Sequence, residues 1–483
     1  MFETIRNAFK IKDVRNKIFM TILFVILYRL GCYITVPGLS SIGSSLDSQM
    51  DIFGLLNSIT GNALSQGTLF SLGISPYINA SIIVQLLTVA IPSLERLSKE
   101  GEEGREKIDK ITRWVTLGLA IVSAIGIVLS LGNQTFTAAD GTTKEYINYN
   151  WLGGAGFDIP GVEGGLPGFF QANKWIMYIY VVIMLVGGSM LCMWLGERIT
   201  EYGVSNGISI LIFVGIVATA AQALASSIGN IFSGDVATAT SGTWTVALFL
   251  VTLVLVFAFI VWVDGAERKI KVQYAKQVKG NRMYGGQSTF IPIKVNASGV
   301  MPLIFAYALM SFPTMLISTF WGNSDFAKWW TTYMTASTES SWVGMLVYNV
   351  ILAILIFVFA YFYSQIQFNP VEISKNIQSN GGFVTGIRPG RETADYLAKI
   401  VSRITLWGAV FLTIIAFVPS ILFSFLPQLL QVNLNTKLVS SFSATGMLIC
   451  VSVALEFNKA LENQIMMRHY KGLLGNSSKG FLK

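Results

Sequence analysis

Charge is scarce in this sequence. Only 12% of its 483 residues are charged, 53% are hydrophobic, and mean hydropathy is +0.58. Soluble domains carry about 25% charged residues, so a water-soluble globular fold is excluded and an all-α polytopic membrane protein is predicted. Histidine is nearly absent. His469 stands alone in the C-terminal tail, which excludes a histidine-based catalytic triad and a histidine metal cluster. No metal and no cofactor is expected. The three cysteines, Cys32, Cys192 and Cys450, are odd in number and lie inside apolar runs. They imply no disulfide framework and read as small core hydrophobes. No G-x-x-x-x-G-K-[ST] occurs, so a Walker loop for ATP is missing and energy would have to come from a partner or a gradient. Gly203–Val204–Ser205–Asn206–Gly207 matches G-x-S-x-G, but a nucleophile elbow needs a preceding strand and a triad histidine. Here the match lies in a short loop between two apolar runs and reads as coincidence. The chain is not expected to be an enzyme. A cleavable signal peptide is not expected either: the first apolar run, from Ile18, is long enough to span, and no small-residue cleavage site follows it.

What the sequence does have is apolar length. Ten runs approach the 17 to 20 or so residues that cross a bilayer. They lie at Ile18–Val36, Ile74–Ile91, Trp114–Leu131, Trp175–Leu195, Ile208–Ala225, Val246–Val263, Ala297–Phe320, Val343–Tyr363, Ile404–Phe425 and Leu438–Leu455. With the N-terminus in the cytoplasm, 29 of the 34 Lys and Arg fall in cytoplasmic segments and four (Lys144, Lys174, Lys328, Lys437) in outer ones. That is the positive-inside pattern, and it places both termini in the cytoplasm. Trp151, Trp175, Trp329, Trp330 and Trp342 sit near outer span ends, where an aromatic belt belongs. By span count alone the chain divides into halves, 1–235 and 236–483.

Carboxylates are missing from all ten runs, and Arg29 is the one ionisable charge inside them. A mid-span arginine costs about 2.5–3.5 kcal/mol, so it either faces protein or water or snorkels to the outer interface. The absence of midplane acids argues against a ten-span secondary transporter of a small charged solute, the main alternative function. It fits a conduit with an apolar constriction. Isoleucines repeat at helical spacing: Ile74, Ile78 and Ile82 in one run, Ile208 and Ile212 in another. On pattern alone such stripes are ordinary helix packing. Residues 51–91 start small and polar and end apolar. They predict a short half-polar helix, roughly Phe53 to Leu64, running straight into a span with Pro76 in its first turn. Such a helix lies at the interface or folds back into a water-filled cavity, and the second is favoured.

Two basic segments, Asp264–Asn296 and Ser364–Arg403, are longer than connections usually are without a job. The first alternates Ile270, Val272 and Tyr274 with Lys269, Lys271 and Gln273 and reads as a hairpin. The second carries turn signals at Gly381–Gly382, Gly386 and Pro389–Gly390, with a fixed tip at Ile387–Arg388–Pro389. Together they read either as a docking platform for a large cytoplasmic partner or as a plain positive-inside anchor.

Four stretches carry a resemblance: GISPYINASIIVQLL at 73–87, ERITEYGVSNGISILIF at 197–213, YAKQVKGNRMYGGQSTFIPIKVNASGVMPLIFA at 274–306 and NPVEISKNIQSNGGFVTGIRPGRETADYL at 369–397. In order and over nearly the whole chain, the sequence resembles the bacterial SecY family, central subunits of the protein-conducting channel. The outer segment Gly132–Lys174 is longer and more Gly-rich than the family pattern. The resemblance implies two five-helix halves around an hourglass pore in the bacterial cytoplasmic membrane. It implies a waist ring at Ile74, Ile78, Ile82, Ile208, Ile212, Ile304 and Ile449, and a plug of about 53–67 centred on Asn57, Ser58, Ile59, Thr60, Gly61, Asn62, Ala63, Leu64 and Ser65. A lateral gate would open between the second and seventh spans, with Gln85 and Asn296 hydrogen-bonding across the closed seam. Arg268, Lys269, Lys271, Arg388 and Arg391 would dock partners. The implied partners are the small subunits SecE and SecG, the SecA motor ATPase, the ribosome, an unfolded preprotein with its signal sequence, and membrane lipid.

Overall fold

The structure is a computed structural model. It describes residues 6, 8–36, 57, 60–137, 143–147, 174–232, 236–274, 277–279, 282–284, 288–295, 299, 301–321, 324–334, 342–430 and 444–479. Helices dominate it. In the first half they are α1 (Lys12–Gly31), α2 (Ser75–Ala90), α3 (Pro92–Lys99), α4 (Glu102–Gly132), α5 (Lys174–Tyr202) and α6 (Gly207–Ile231). In the second half they are α7 (Val236–Asp264), α8 (Met301–Phe320), α9 (Asp325–Met334), α10 (Trp342–Gln367), α11 (Pro370–Ser379), α12 (Arg391–Leu430) and α13 (Ala444–Lys479). Each of the ten predicted runs falls at least partly on one of them. Among the described residues, α4, α5, α6, α10 and α12 are long and apolar enough to cross a membrane, and α2 with α3 makes a sixth if that bent pair is one span. The bend has a local cause. Ile91 is extended, as a residue before proline prefers, Pro92 starts α3, and the two axes differ by 105°. Pro76 near the start of α2 costs nothing, because the amide it removes would have no helical partner.

Helices of each half pack mainly on their own sequence neighbours, α2 on α4, α4 on α5, α5 on α6, and in the second half α8 on α10 and α10 on α12. The halves meet along two seams. On one, α6 touches α7 and α13; on the other, α2 and α4 touch α8. One large apolar cluster draws side chains from α1, α2, α5, α6, α7, α8, α10, α12 and α13.

Away from the bundle, β3 (Glu267–Tyr274), β6 (Ser288–Lys294) and β7 (Gly382–Val384) form an antiparallel sheet in the order β6-β3-β7. The predicted hairpin is there: β3 pairs β6 from Glu267↔Lys294 to Gln273↔Ser288, and β4 (Gln277–Lys279) pairs β5 (Arg282–Tyr284) nearer its tip. Pro292 is tolerated because β6 is an edge strand. The third strand comes from the other basic segment, through Val272↔Val384 and Tyr274↔Gly382. The two long segments are therefore one unit, closed by its own core of Ile270, Val272, Ile293, Ile377, Val384, Leu397 and Ile400. In the enlarged segment 132–174, β1 (Asn133–Thr137) and β2 (Thr143–Ile147) form a separate antiparallel pair.

Candidate functional site

The segment before α2 departs from the expected helix. Asn57 and Thr60 are helical, but Gly61 and Asn62 both adopt positive φ, at 71° and 68°, and turns run from there to Ile74. A left-handed pair ends a right-handed helix, so the half-polar helix does not run straight into the span. Ser58 and Ile59 lie outside the described residues. The turn is closed by its own side chains: Asn57 Nδ2 donates to Asn62 Oδ1 at 3.1 Å, and the Ser65 amide donates to Asn57 Oδ1 at 3.1 Å. Asn and Ser suit this role because their short polar side chains satisfy backbone groups that no helix or sheet serves.

This turn is wedged into the bundle wall. Asn62 Nδ2 donates to Gln222 Oε1 on α6, and Thr60, Gly61, Ala63 and Leu64 are buried. Ala63 packs in the large cluster, while Leu64 packs in a second cluster with Val36, Leu72, Ile127, Val128 and Leu185. The following residues are stitched to the end of α1, where the Val36 amide donates to the Gly67 carbonyl at 3.1 Å and the Leu69 amide to the Ile34 carbonyl at 2.8 Å. Gly188 on α5 lets this backbone come close, since a Cβ there would stand 1.9 Å from the Leu69 carbonyl oxygen. Arg29 does not snorkel outward. Its Nη1 is buried and lies 2.5 Å from where a Cβ on Gly61 would sit.

All seven isoleucines belong to the large cluster, among many other apolar side chains, and membership alone does not form them into a ring. Ile74, Ile78, Ile82, Ile212 and Ile449 are buried in it, and Ile208 and Ile304 pack against it half-buried. Residues separated by up to 375 positions thus share one apolar cluster.

Helices α2 and α8 are in contact, as a seam requires. Gln85 is half-buried on α2, but its Nε2 donates to Ser81 Oγ on the same helix at 3.3 Å. Asn296 lies outside the described residues, so no pair across the seam is described. Pro313 sits inside α8, and the next residue, Thr314, accepts a hydrogen bond from Trp330 Nε1 of α9 at 3.0 Å.

The basic residues lie on the sheet unit. Arg268, Lys269 and Lys271 are exposed on β3, where alternation sends Ile270 and Val272 inward. Arg388 is exposed at a tip that is fixed from below. Ile387 packs on the unit's core, Thr393 Oγ1 donates to the Arg388 carbonyl at 2.7 Å, and Ser374 Oγ donates to the Gly390 carbonyl at 2.6 Å. Arg391, also exposed, starts α12. Where this unit joins the bundle, burial and the neighbouring ammonium of Lys459 push the Lys294 pKa down, while Lys459 Nζ stands 3.8 Å from Asp264 Oδ2. That contact ties α13 to the end of α7, next to β3.

Three features of the site went unseen in the sequence: Gln222 as partner of Asn62, the Arg29–Gly61 contact, and the joining of β7 to β3. The isolation of Arg29 among apolar residues was a signal for the second. The other two carried none, since a glutamine near a span end and a Gly-Phe-Val triplet are ordinary.

Comparison with known proteins bears on the whole chain. The SecY family model matches residues 68–458. The protein translocase subunit SecY of Bacillus subtilis is 36% identical over 479 residues, covering 99% of this chain and 100% of that protein. Its counterpart in Corynebacterium glutamicum is 38% identical over 480 residues, covering 97% and 99%. A solved structure, reported for a SecY plug domain that stabilises the closed state of the translocation channel and maintains a membrane seal, superposes with a TM-score of 0.60. It is 18% identical over 93% of this chain and 92% of that one, a likeness that shows the fold. Several helices long and apolar enough to cross a membrane, a family-model match over most of the chain and full-length identity of this order lead to one conclusion: the chain belongs to the SecY family.

Proposed function

We propose that this chain is the pore subunit of a protein-conducting channel in the bacterial cytoplasmic membrane, passive in itself and driven by partners. The observation that carries this reading is that the polar turn at 60–65 is held on α6 by the Asn62–Gln222 hydrogen bond, with Ala63 in the same apolar cluster as the seven isoleucines. In this reading the chain crosses the membrane ten times, with both termini cytoplasmic, and residues 1–235 and 236–483 are the two halves. The isoleucines are the waist, flexible side chains that part around an extended polypeptide and close behind it. The turn is the plug. Parting of α2 from α8 lets a sufficiently apolar segment move sideways into lipid, because the sum of per-residue transfer costs favours lipid, while polar segments pass on across. The small-solute carrier reading lacks the midplane carboxylates that coupling needs.

The sheet unit is the docking face for the SecA motor and the ribosome, and SecE and SecG are the companion subunits. Arginine forks suit carboxylate and ribosomal phosphate alike. Arg388→Glu is expected to weaken motor docking by about 30-fold, the scale of an arginine hot spot of about 2 kcal/mol. Motor-driven export measured at limiting motor should fall accordingly while the channel still assembles. Unchanged export would remove Arg388 from the docking face.

The decisive experiment is site-specific crosslinking of a stalled, partly exported precursor. Photoreactive probes replace Ile78 and Ile304, with a control at Leu346, which is 61% exposed on the outer surface of α10. Crosslinks at the first two and not at the control are expected. A precursor demonstrably engaged yet crosslinked at neither isoleucine would place the polypeptide path elsewhere.

A further inference from the structure

Arg29 is the one charged side chain in the predicted spans, and the structure puts it in a particular place. Its guanidinium carbon stands 5.6 Å from the centre of the Tyr33 ring, one turn further along the chain. Its buried Nη1 faces the Gly61 backbone so closely that a Cβ on Gly61 would lie 2.5 Å from it. On the other side the same Cβ position is 3.4 Å from Cα and the carbonyl oxygen of Gly215 on α6. Gly61 is thus pinched between α1 and α6. It also holds φ at 71°, a conformation that glycine adopts without strain. Just before it, the Thr60 carbonyl accepts from Cys32 Sγ, the residue that caps α1, at 3.8 Å. Just after it, Asn62 donates to Gln222 of α6.

We infer that Arg29 is a positioning residue for the seal: the flat guanidinium, held over the Tyr33 ring, is the seat on which the Gly61 turn closes. The inference rests on the reading of Asn57–Ser65 as the plug. A planar cation can lie flat against a peptide plane, which gives the buried Nη1 of Arg29, without a hydrogen-bond partner among the described residues, a protein surface to rest on. The geometry also makes the pair mutually exclusive of bulk. The turn fits because position 61 has no side chain, and it finds a wall because position 29 has a long one.

The test is resting ion conductance of planar bilayers containing the full channel complex, run beside partner-driven export. Arg29→Ala removes the seat and Gly61→Ala drives a methyl into it, so each is expected to raise resting conductance about tenfold. The double variant should leak no more than the worse single, because the methyl then enters the space the guanidinium left. A double-variant leak equal to the product of the two single effects would mean that the positions act independently, and would overturn the inference. So would parental conductance in both singles, or loss of export in Arg29→Ala without leak. A channel lacking residues 57–65 separates the two levels. If it too stays sealed, the plug reading itself is wrong; if it leaks while both single variants stay sealed, only the role of Arg29 falls.

Discussion

Excision of Asn57–Ser65 is expected to raise the ion conductance of resting membranes about a hundredfold. The estimate follows from what holds the segment in place. Leu64 is 1% exposed, and burying a leucine stabilises by about 2 kcal/mol. The Asn62–Gln222 hydrogen bond adds about 1 kcal/mol net. Together that is about 3 kcal/mol in favour of the seated state, a factor of about a hundred in its occupancy. The hydrogen bonds among Asn57, Asn62 and Ser65 are internal to the segment and shape the turn without anchoring it. Single-channel recordings without any precursor read the effect directly. Conductance equal to the parent's would show that the segment seals nothing, and would leave its burial a matter of stability alone.

Replacing Ile78 and Ile212 together by glycine is expected to produce the second large leak, about tenfold or more, by widening the apolar waist proposed for them. Both are nearly fully buried, at 9% and 4% exposure, and come from different helices of the same cluster. Glycine in a helix interior costs about 1 kcal/mol whatever it faces, so the pair needs a matched control. Ile83 provides one, on the same helix as Ile78 but 36% exposed. Ile83→Gly should carry the helix cost without the leak. If Ile78→Gly with Ile212→Gly lowers thermal stability and leaves conductance untouched, the isoleucines are ordinary packing, as their periodicity alone already allowed.

Much of this molecule is legible in the chain because much of it is one-dimensional. Apolar runs of fixed length, the lysine and arginine asymmetry and Pro76 and Pro92 at helix starts are local properties that the bilayer and the backbone read directly. The β3–β6 hairpin is local in the same sense, since alternation at period two in one short segment sets both its pairing and its faces. The half-polar helix expected before α2 is helical at Asn57 and Thr60 but stops at Gly61 and does not run into the span. Asn62 takes a left-handed conformation that its sequence permits but does not require, and with Gly61 it ends the helix in a turn.

Other features exist only after folding. Ile74 and Ile449 share a cluster because two distant helices enter one space, and no spacing within either helix encodes that. Val384 completes a sheet begun at Val272 because the core around Leu397 and Ile400 brings two basic segments together, which the charge pattern of each could not announce. By itself the sequence determined the class of protein, the helical runs and their predicted orientation, since these depend on transfer energies summed along the chain. Tertiary structure alone decided that Arg29 turns inward onto Gly61. A lone arginine in a span can reach water or find a protein seat at similar cost, and which occurs depends on what residues some thirty positions away place beside it.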